Sequence, residues 1–456
     1  MAFALGDAGS LATYFALARG RRAMPGAQSL PALEMTKWFD TNYHYLVPQL
    51  TRGQEFRLAG NKPIDEFVEA RALGILTRPV LLGPVTFLRL CKADGIDPLS
   101  LVPGLLPVYP EVLRGLAAAG AEWVQLDEPI LALDLEEGAL AAIDTAYATL
   151  SAAAPGLRLL LATYFGGLGP HRARVLRLPV AGLHLDLVRA PEQIDVAQAA
   201  PRALVLSLGL VDGRNVWRLN LQAILERLRP VAESGHELIL APSCSLLHVP
   251  LDLEAETDIE PELRGWLAFA TQKLDELVIL RRALTGGGGE DVARAVAASG
   301  EAARARARSK KIHDPNVARR VAAVTPDMRE RRSPFRRQRD AQRLQIKLPA
   351  YPTTMIGSFP QTAEVRKARS EHAHGTLSDA AYGDFLRRET AAAVRWQEDA
   401  GIDVLVHGEF ERTTWCSTSA NNSPATPSPS TAGYKATACA ACGRRSSTAT
   451  SRGRTR

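Results

Sequence analysis

The chain has 456 residues, of which 46% are hydrophobic and 23% are charged. This length and apolar content suffice for two or three globular domains and exclude disorder of the whole chain. The formal net charge of +6 and the isoelectric point of about 9.1 suggest, taken alone, an acidic partner such as nucleic acid.

The positive charge is unevenly distributed. Six of the 55 Lys and Arg residues, and none of the 49 Asp and Glu residues, lie in residues 413–456, so residues 1–412 hold 49 of each sign. Five cysteines are too few for a secreted disulfide framework at this length. No run of eighteen apolar residues predicts a membrane span, and Asp7 with no basic segment before it argues against a signal peptide. A cytoplasmic protein is expected.

Six short apolar runs are predicted to form buried strands, at residues 79–82, 123–126, 157–164, 182–187, 203–210 and 237–241. Helical patterns lie between several of them, at 110–119, 192–199 and 219–234. This alternation predicts an α/β fold with a parallel sheet, either doubly wound or closed into a barrel. Polar residues end several of the runs, which favours a TIM-type (β/α)8 barrel, because functional groups collect there at the carboxyl ends of the strands. We assign residues 1–261 to this barrel.

Residues 262–351 are predicted to form a helical connector. They carry long patterns rich in Ala, Arg, Leu and Glu, with a basic stretch between Arg304 and Arg343. A solvated connector is preferred over a nucleic-acid patch, because Phe335 is the single Phe, Tyr or Trp residue in the basic stretch and bases would lack a series of rings on which to stack.

A second α/β unit is predicted over residues 352–412. It contains a strand at 353–356, an N-cap at Thr362, a helix at 379–400 and a strand at 402–406. Residues 413–456 are rich in Ser, Thr and Ala and show no hydrophobic period, so they are predicted to be disordered.

Two groups of residues in the first barrel suggest chemistry but have a simpler explanation. Asp127 and Glu128 are adjacent on a strand and face opposite sides, so only one of them can point into a shared site. His184, Asp186 and Cys244 carry side chains that bind zinc, but a fourth ligand is missing and a satisfied core is the preferred interpretation. The pair Cys439 and Cys442 has zinc-knuckle spacing without a second pair and is attributed to chance.

The loop that contains Ile356, Gly357 and Ser358 is the strongest candidate site. Gly357 allows a ligand to approach the backbone closely, and the N-terminus of the following helix favours an anionic group. Glu409 ends the next predicted strand and is expected at the same edge. Backbone N–H groups for a carboxylate and an acid for an ammonium are what an α-amino acid requires. The alternative is a tight turn beside a solvated glutamate.

The chain resembles the cobalamin-independent methionine synthase family over residues 12–412. The resemblance rests on EMTKWFDTNYHY at 34–45, LGPVT at 82–86, WVQLDEP at 123–129, DGRNVWR at 212–218, SCSLLH at 243–248, PTTMIGSFPQT at 352–362 and DVLVHGE at 403–409. It implies two (β/α)8 barrels joined by a helical connector. It also implies transfer of a methyl group from 5-methyltetrahydropteroyl-polyglutamate to homocysteine, without cobalamin.

The resemblance also implies roles for particular residues. Lys37 is expected to contact folate, and Ile356, Gly357, Ser358 and Glu409 are expected to contact homocysteine or methionine. A cationic lysine suits a polyanionic folate. The expected partners are these small molecules, with no nucleic acid, no membrane and a monomeric chain.

The family uses zinc to hold homocysteine as a thiolate, with His-x-Cys, Glu and Cys ligands late in the second barrel. None of these ligands is expected in this chain, so we expect no catalytic residue to be retained and the chain to be inactive alone. The first strand of the first barrel is expected before residue 1. Residues 413–456 are interpreted as the second barrel translated out of frame. The alternatives are a non-catalytic fragment that binds folate or an amino acid, and a nucleic-acid binder that uses the basic tail.

Overall fold

The computed structural model describes residues 11–22 and 29–412. The expected disorder of residues 413–456, the Cys439 and Cys442 pair and the expectations for the start of the chain lie outside these residues. The described residues divide into two compact units, one up to Arg304 and one from Ala305 onward.

The described strands are short. They are β1 (Glu34–Lys37), β2 (His44–Val47), β3 (Gln49–Leu50), β4 (Val80–Leu82), β5 (Lys92–Ala93), β6 (Trp123–Asp127), β7 (Arg158–Ala162), β8 (Gly182–Asp186), β9 (Val205–Val211) and β10 (Leu238–Pro242). All six predicted strands of the first barrel are confirmed as β4 and β6–β10, with ends that differ by one to two residues from the predicted ends in most cases.

The helices of the first unit lie between and after these strands along the chain, with α1 before them. They are α1 (Leu11–Arg19), α2 (Lys62–Ala72), α3 (Pro84–Leu90), α4 (Val102–Leu105), α5 (Val108–Ala118), α6 (Glu137–Ala153), α7 (Arg172–Val175), α8 (Ile194–Ala199), α9 (Leu221–Ala232), α10 (Pro261–Arg264), α11 (Ala270–Leu284) and α12 (Glu290–Arg308), which crosses the division between the units. The remaining helices are α13 (Pro315–Ala322), α14 (Pro326–Arg329), α15 (Phe335–Gln345), α16 (Ala363–Ala373) and α17 (Asp379–Asp399). Among the described residues, no helix is both long enough and apolar enough to cross a membrane.

The main sheet of the first unit is parallel, and its strand order follows the chain, β4-β6-β7-β8-β9-β10. A doubly wound sheet would reverse its order at a switch point, so this order is the one that a barrel requires. The α/β class is confirmed. Because β4 and β10 do not pair with each other among the described residues, closure into an eight-stranded barrel stays a prediction.

A hairpin and a core complete the first unit. Strands β1 and β2 pair antiparallel with Glu34 opposite Val47 and Lys37 opposite His44. Leucine dominates the core between sheet and helices, where Leu126, Leu161 and Leu206 are fully buried. Helix α11 belongs to this core through the fully buried Leu280. The division at Arg304 therefore differs from the predicted start of the connector at residue 262, and the four-part division of the chain stays a prediction.

The second unit is mostly helical among the described residues. The predicted helix at 379–400 and the N-cap at Thr362 are confirmed, since Thr362 Oγ1 accepts a hydrogen bond from Val365 N at 3.3 Å. The predicted strands at 353–356 and 402–406 are wrong as continuous strands. They form one isolated parallel bridge, Thr354 to Val404, and a second isolated bridge follows just beyond them, Ser358 to Gly408. The two segments are largely exposed. Longer strand pairing between them is therefore not stabilised by a buried face.

Candidate functional site

Two motifs of the first unit, LGPVT and DEP, meet at the N-terminus of α3. Glu128 is fully buried, and its carboxylate accepts hydrogen bonds from Thr86 N at 2.8 Å, Val85 N at 3.2 Å and the Thr86 hydroxyl. Burial raises the pKa of Glu128 to about 7, although these donors lower it. Gly83 is required here, because a Cβ at this position would lie 2.2 Å from Glu128 Cδ. Glu128 therefore stabilises the fold at the end of the sheet.

Asp127 points the other way, as expected for adjacent residues of a strand. It lines a cavity of about 870 Å³ at the carboxyl ends of the strands, which is also lined by Trp38, Tyr45 and Tyr164. Its carboxylate accepts hydrogen bonds from Gln125 Nε2 at 2.7 Å and from the Tyr164 hydroxyl at 2.8 Å. Burial raises the pKa of Asp127, and both hydrogen bonds lower it.

Lys37, the expected folate contact, lies at the end of β1 with an exposed side chain. The turn that follows is held by hydrogen bonds from Trp38 N to Tyr43 O at 2.8 Å and from the Thr41 hydroxyl to Trp38 O at 2.7 Å. Trp38 packs edge-on against Tyr45 at 5.5 Å between ring centroids. The hairpin thus carries an exposed lysine directly before Trp38, which lines the cavity.

The residues considered as a zinc site have other partners. His184 is buried with Nδ1 2.9 Å from Ser207 Oγ and Nε2 3.3 Å from Ser243 O, and burial lowers its pKa to about 4. Asp186 accepts three backbone hydrogen bonds, and burial raises the pKa of the Cys244 thiol. The described part of the chain holds no group of three or more His, Cys, Asp and Glu side chains that could hold a metal ion. These residues do not form a donor set that fits zinc.

The predicted amino-acid site brings together three of its four residues in the second unit. Ser358 Oγ donates to Glu409 Oε2 at 2.7 Å, and a Cβ on Gly357 would lie 3.0 Å from Glu409 Oε1. Gly357 has φ of +142° and therefore needs to be glycine. The Ile356 side chain is fully exposed, so Ile356 belongs to the candidate site only through its backbone next to Gly357.

Glu409 has an unusual backbone conformation for a residue with a side chain, with φ of +55° directly after Gly408 at +89°. Such conformations cost free energy and persist where the surrounding structure fixes them, which is typical of ligand sites. Arg369 fixes the chain beyond Glu409, because its Nη2 donates to Phe410 O at 2.7 Å and to Arg412 O at 2.9 Å. Sequence reasoning missed Arg369, which lies in an ordinary helical pattern.

Sequence reasoning also missed three charged residues around the hairpin turn of the first unit. Asp40 forms ion pairs with Arg189 and Arg214, which follow β8 and β9. The sequence separations of 149 and 174 residues left no local signal for these pairs. The only available indication was that Asp40 and Arg214 lie within the quoted family motifs.

A parallel sheet with polar side chains gathered at the carboxyl ends of its strands defines an α/β protein of the class that binds ligands at that edge. The N-terminal-domain model of the cobalamin-independent synthases matches residues 3–236, and their catalytic-domain model matches residues 351–422. The chain belongs to the cobalamin-independent methionine synthase family.

Curated relatives agree with this assignment. The chain is 61% identical over 420 residues to the 5-methyltetrahydropteroyltriglutamate–homocysteine methyltransferase of Caulobacter vibrioides, covering 88% of this chain and 54% of the relative. It is 56% identical over 420 residues to the enzyme of the same name from Nitrobacter winogradskyi, with the same coverage. The chain thus spans about half the length of the curated relatives that it matches. A solved B12-independent methionine synthase from Shewanella sp. W3-18-1 is similar at 16% identity over 56% of this chain and 75% of that chain, with a TM-score of 0.41.

Proposed function

We propose that this chain serves methyl transfer from 5-methyltetrahydropteroyl-polyglutamate to homocysteine, which yields methionine. Relatives at 56–61% identity are named as the methyltransferase of this reaction, which supports the proposal. The chain would contribute a folate contact at Lys37 and an amino-acid site at Ile356, Gly357, Ser358 and Glu409. A cytoplasmic, monomeric protein without a nucleic-acid partner is part of the same proposal.

The observation that carries the proposal is the Ser358–Glu409 hydrogen bond beside the Gly357 backbone. An α-amino acid presents an ammonium and a carboxylate on one carbon. Glu409 supplies a negative charge for the ammonium, and the serine hydroxyl orients this carboxylate. The glycine leaves room for the ligand to approach the backbone. The site would hold the amino-acid end of homocysteine and leave its sulfur free to react.

For the methyl donor, the proposal depends on the charge of Lys37. A polyglutamate tail carries several carboxylates, and an exposed ammonium attracts them by its charge. No cobalamin is required in the family to which the chain belongs. In the family zinc supplies activation of the homocysteine thiol, but the described residues offer no fitting donor set, so no step is assigned to a metal here.

Titration calorimetry of the full chain with L-methionine tests the amino-acid site. We expect Glu409→Gln to weaken binding by about tenfold or more, because loss of a charge-assisted hydrogen bond costs about 1.5–3 kcal/mol. Glu411→Gln is the matched control, since this side chain lies two residues away and pairs with His407 at 3.3 Å. Equal affinity of Glu409→Gln and the unmodified chain would remove the basis of the proposal.

A second candidate function is ligand binding without methyl transfer, which the Ser358–Glu409 pair would support by itself. An assay of methionine formation from homocysteine and methylfolate triglutamate, with zinc content measured on the same sample, separates the two. Methyl transfer with stoichiometric zinc supports catalysis. Ligand binding with no methionine formed supports the binding function.

A further inference from the structure

The turn of the β1–β2 hairpin is tied to the sheet by charge. Asp40 Oδ2 accepts a hydrogen bond from Arg189 Nη2 at 2.6 Å, and Asp40 Oδ1 pairs with Arg214 Nη1. Arg214 Nη2 also donates to Asp40 O at 3.3 Å. The Arg214 side chain is 9% exposed and the Asp40 side chain 47%, so the pair is buried on the arginine side and open to solvent on the carboxylate side.

Aromatic contacts hold the same arginine in place. The Arg214 guanidinium lies over the Phe165 ring at 4.7 Å from its centroid. Phe165 in turn contacts Phe39 of the hairpin turn at 6.3 Å between centroids. The arginine therefore connects hairpin and sheet through both charge and ring packing.

Asp186 fixes the loops that carry these partners. Its carboxylate is buried and accepts hydrogen bonds from Phe165 N at 3.0 Å and Arg189 N at 2.9 Å. The Asp186 carboxylate at the end of β8 thus fixes the backbone of Phe165 and of Arg189, and both of these residues contact the hairpin turn. This gives a use to the residue that sequence analysis considered as a metal ligand.

We propose that Asp40 is a positioning residue for Lys37, and that Arg189 and Arg214 act through it; we call these three residues the hairpin clamp. The inference rests on the proposed folate contact. Lys37 and Asp40 are three residues apart in a turn fixed by the backbone hydrogen bonds at Trp38 and Thr41. A clamped turn fixes the backbone directly after Lys37, from which the exposed lysine side chain projects.

The test compares methylfolate carrying three glutamates with methylfolate carrying one, by titration calorimetry of the full chain. The ratio of the two affinities isolates recognition of the tail. We expect Lys37→Met to lower this ratio by about tenfold and Asp40→Asn to lower it by at least about threefold, with most of the loss recovered in Asp40→Glu. Asp144→Asn is the matched control, because Asp144 pairs with Arg174 at 2.7 Å elsewhere in the first unit.

The double variant Lys37→Met, Asp40→Asn distinguishes positioning from a general loss of structure. If Asp40 acts through Lys37, the double variant has the same ratio as Lys37→Met alone. Arg189→Gln is the second variant if Asp40→Asn fails to fold, as judged by circular dichroism and by its affinity for L-methionine. No effect of Lys37→Met would refute the proposed folate contact. An effect of Lys37→Met with none from Asp40→Asn or Arg189→Gln, or with additive losses, would refute the clamp alone.

Discussion

At the scale of single residues, Glu128 shows what a buried carboxylate needs in order to be stable. The first N–H groups of a helix have no partner within the helix, and two of those in α3 donate to this carboxylate. Gly83 permits the approach because any Cβ would occupy the place of the Glu128 side chain. Two separate motifs, LGPVT and DEP, are thus explained by one contact that supports the wall of the cavity.

The raised pKa of Glu128 predicts how stability depends on pH. A folded-state pKa of about 7, against 4.5 for the free side chain, means that the fold binds this proton more tightly than the unfolded chain does. The stabilisation is complete below about pH 4.5 and is lost as the pH rises through 7. We expect the free energy of unfolding to fall by up to about 1.4 kcal/mol per pH unit from this residue.

Urea unfolding at pH 5, 6, 7 and 8 measures this dependence. Glu128→Gln should remove it, since the amide does not titrate. Thr86→Val, which removes a hydroxyl that lowers the pKa of Glu128, should keep the dependence and move it to higher pH. A Glu128→Gln chain that loses stability with pH as steeply as the unmodified chain contradicts the assignment.

Individual residues also show what sequence reasoning could and could not reach. The contact of Ser358 with Glu409 follows from a simple rule, that residues ending neighbouring parallel segments lie at one edge. The pairs of Asp40 with Arg189 and Arg214 follow no such rule, because they join a hairpin turn to loops that are distant in sequence. Their prediction would have required the three-dimensional placement of the hairpin.

At the scale of elements, the strands were predictable where burial is complete. Residues of β7, β8 and β9 are almost all buried, so their sequences are continuous apolar runs. The segments around Thr354 and Val404 have apolar sequences as well, but their exposure in the structure leaves only single bridges. An apolar pattern predicts a strand only when a second layer covers it. Helix α11 was assigned to the connector because its sequence does not reveal that Leu280 is buried in the core of the first unit.

Helix α16 offers a test at this scale, because it begins with a side-chain cap at Thr362. Removing an N-cap hydroxyl costs about 1 kcal/mol. We expect Thr362→Ala to speed amide hydrogen exchange across residues 363–373 by about fivefold. Ser370→Ala changes a hydroxyl within the same helix and serves as the control, with no faster exchange expected. Unchanged exchange in Thr362→Ala would show that the helix start does not depend on this cap.

At the scale of the whole molecule, the net charge is a sum of two unlike parts. Residues 1–412 contain equal numbers of acidic and basic residues, and the excess of +6 comes from residues 413–456. Within residues 1–412 the candidate sites are locally charged. The first unit carries Lys37 and the hairpin clamp, and the second unit carries Glu409. Recognition of small charged ligands depends on this local arrangement, whereas the isoelectric point reflects only the total.

The last prediction concerns nucleic acid, the partner that the total charge suggests. Binding that rests on six charges near the end of the chain should weaken steeply with salt, because it depends on release of counterions from the phosphates. We expect any association of the full chain with duplex DNA at 20 mM KCl to disappear by about 200 mM KCl. It should also disappear at every salt concentration when the six basic residues of 413–456 are replaced by glutamine. Fluorescence anisotropy of a labelled duplex measures both effects. DNA binding that survives the replacement would mean that the basic helices between residues 304 and 343 form a nucleic-acid surface after all.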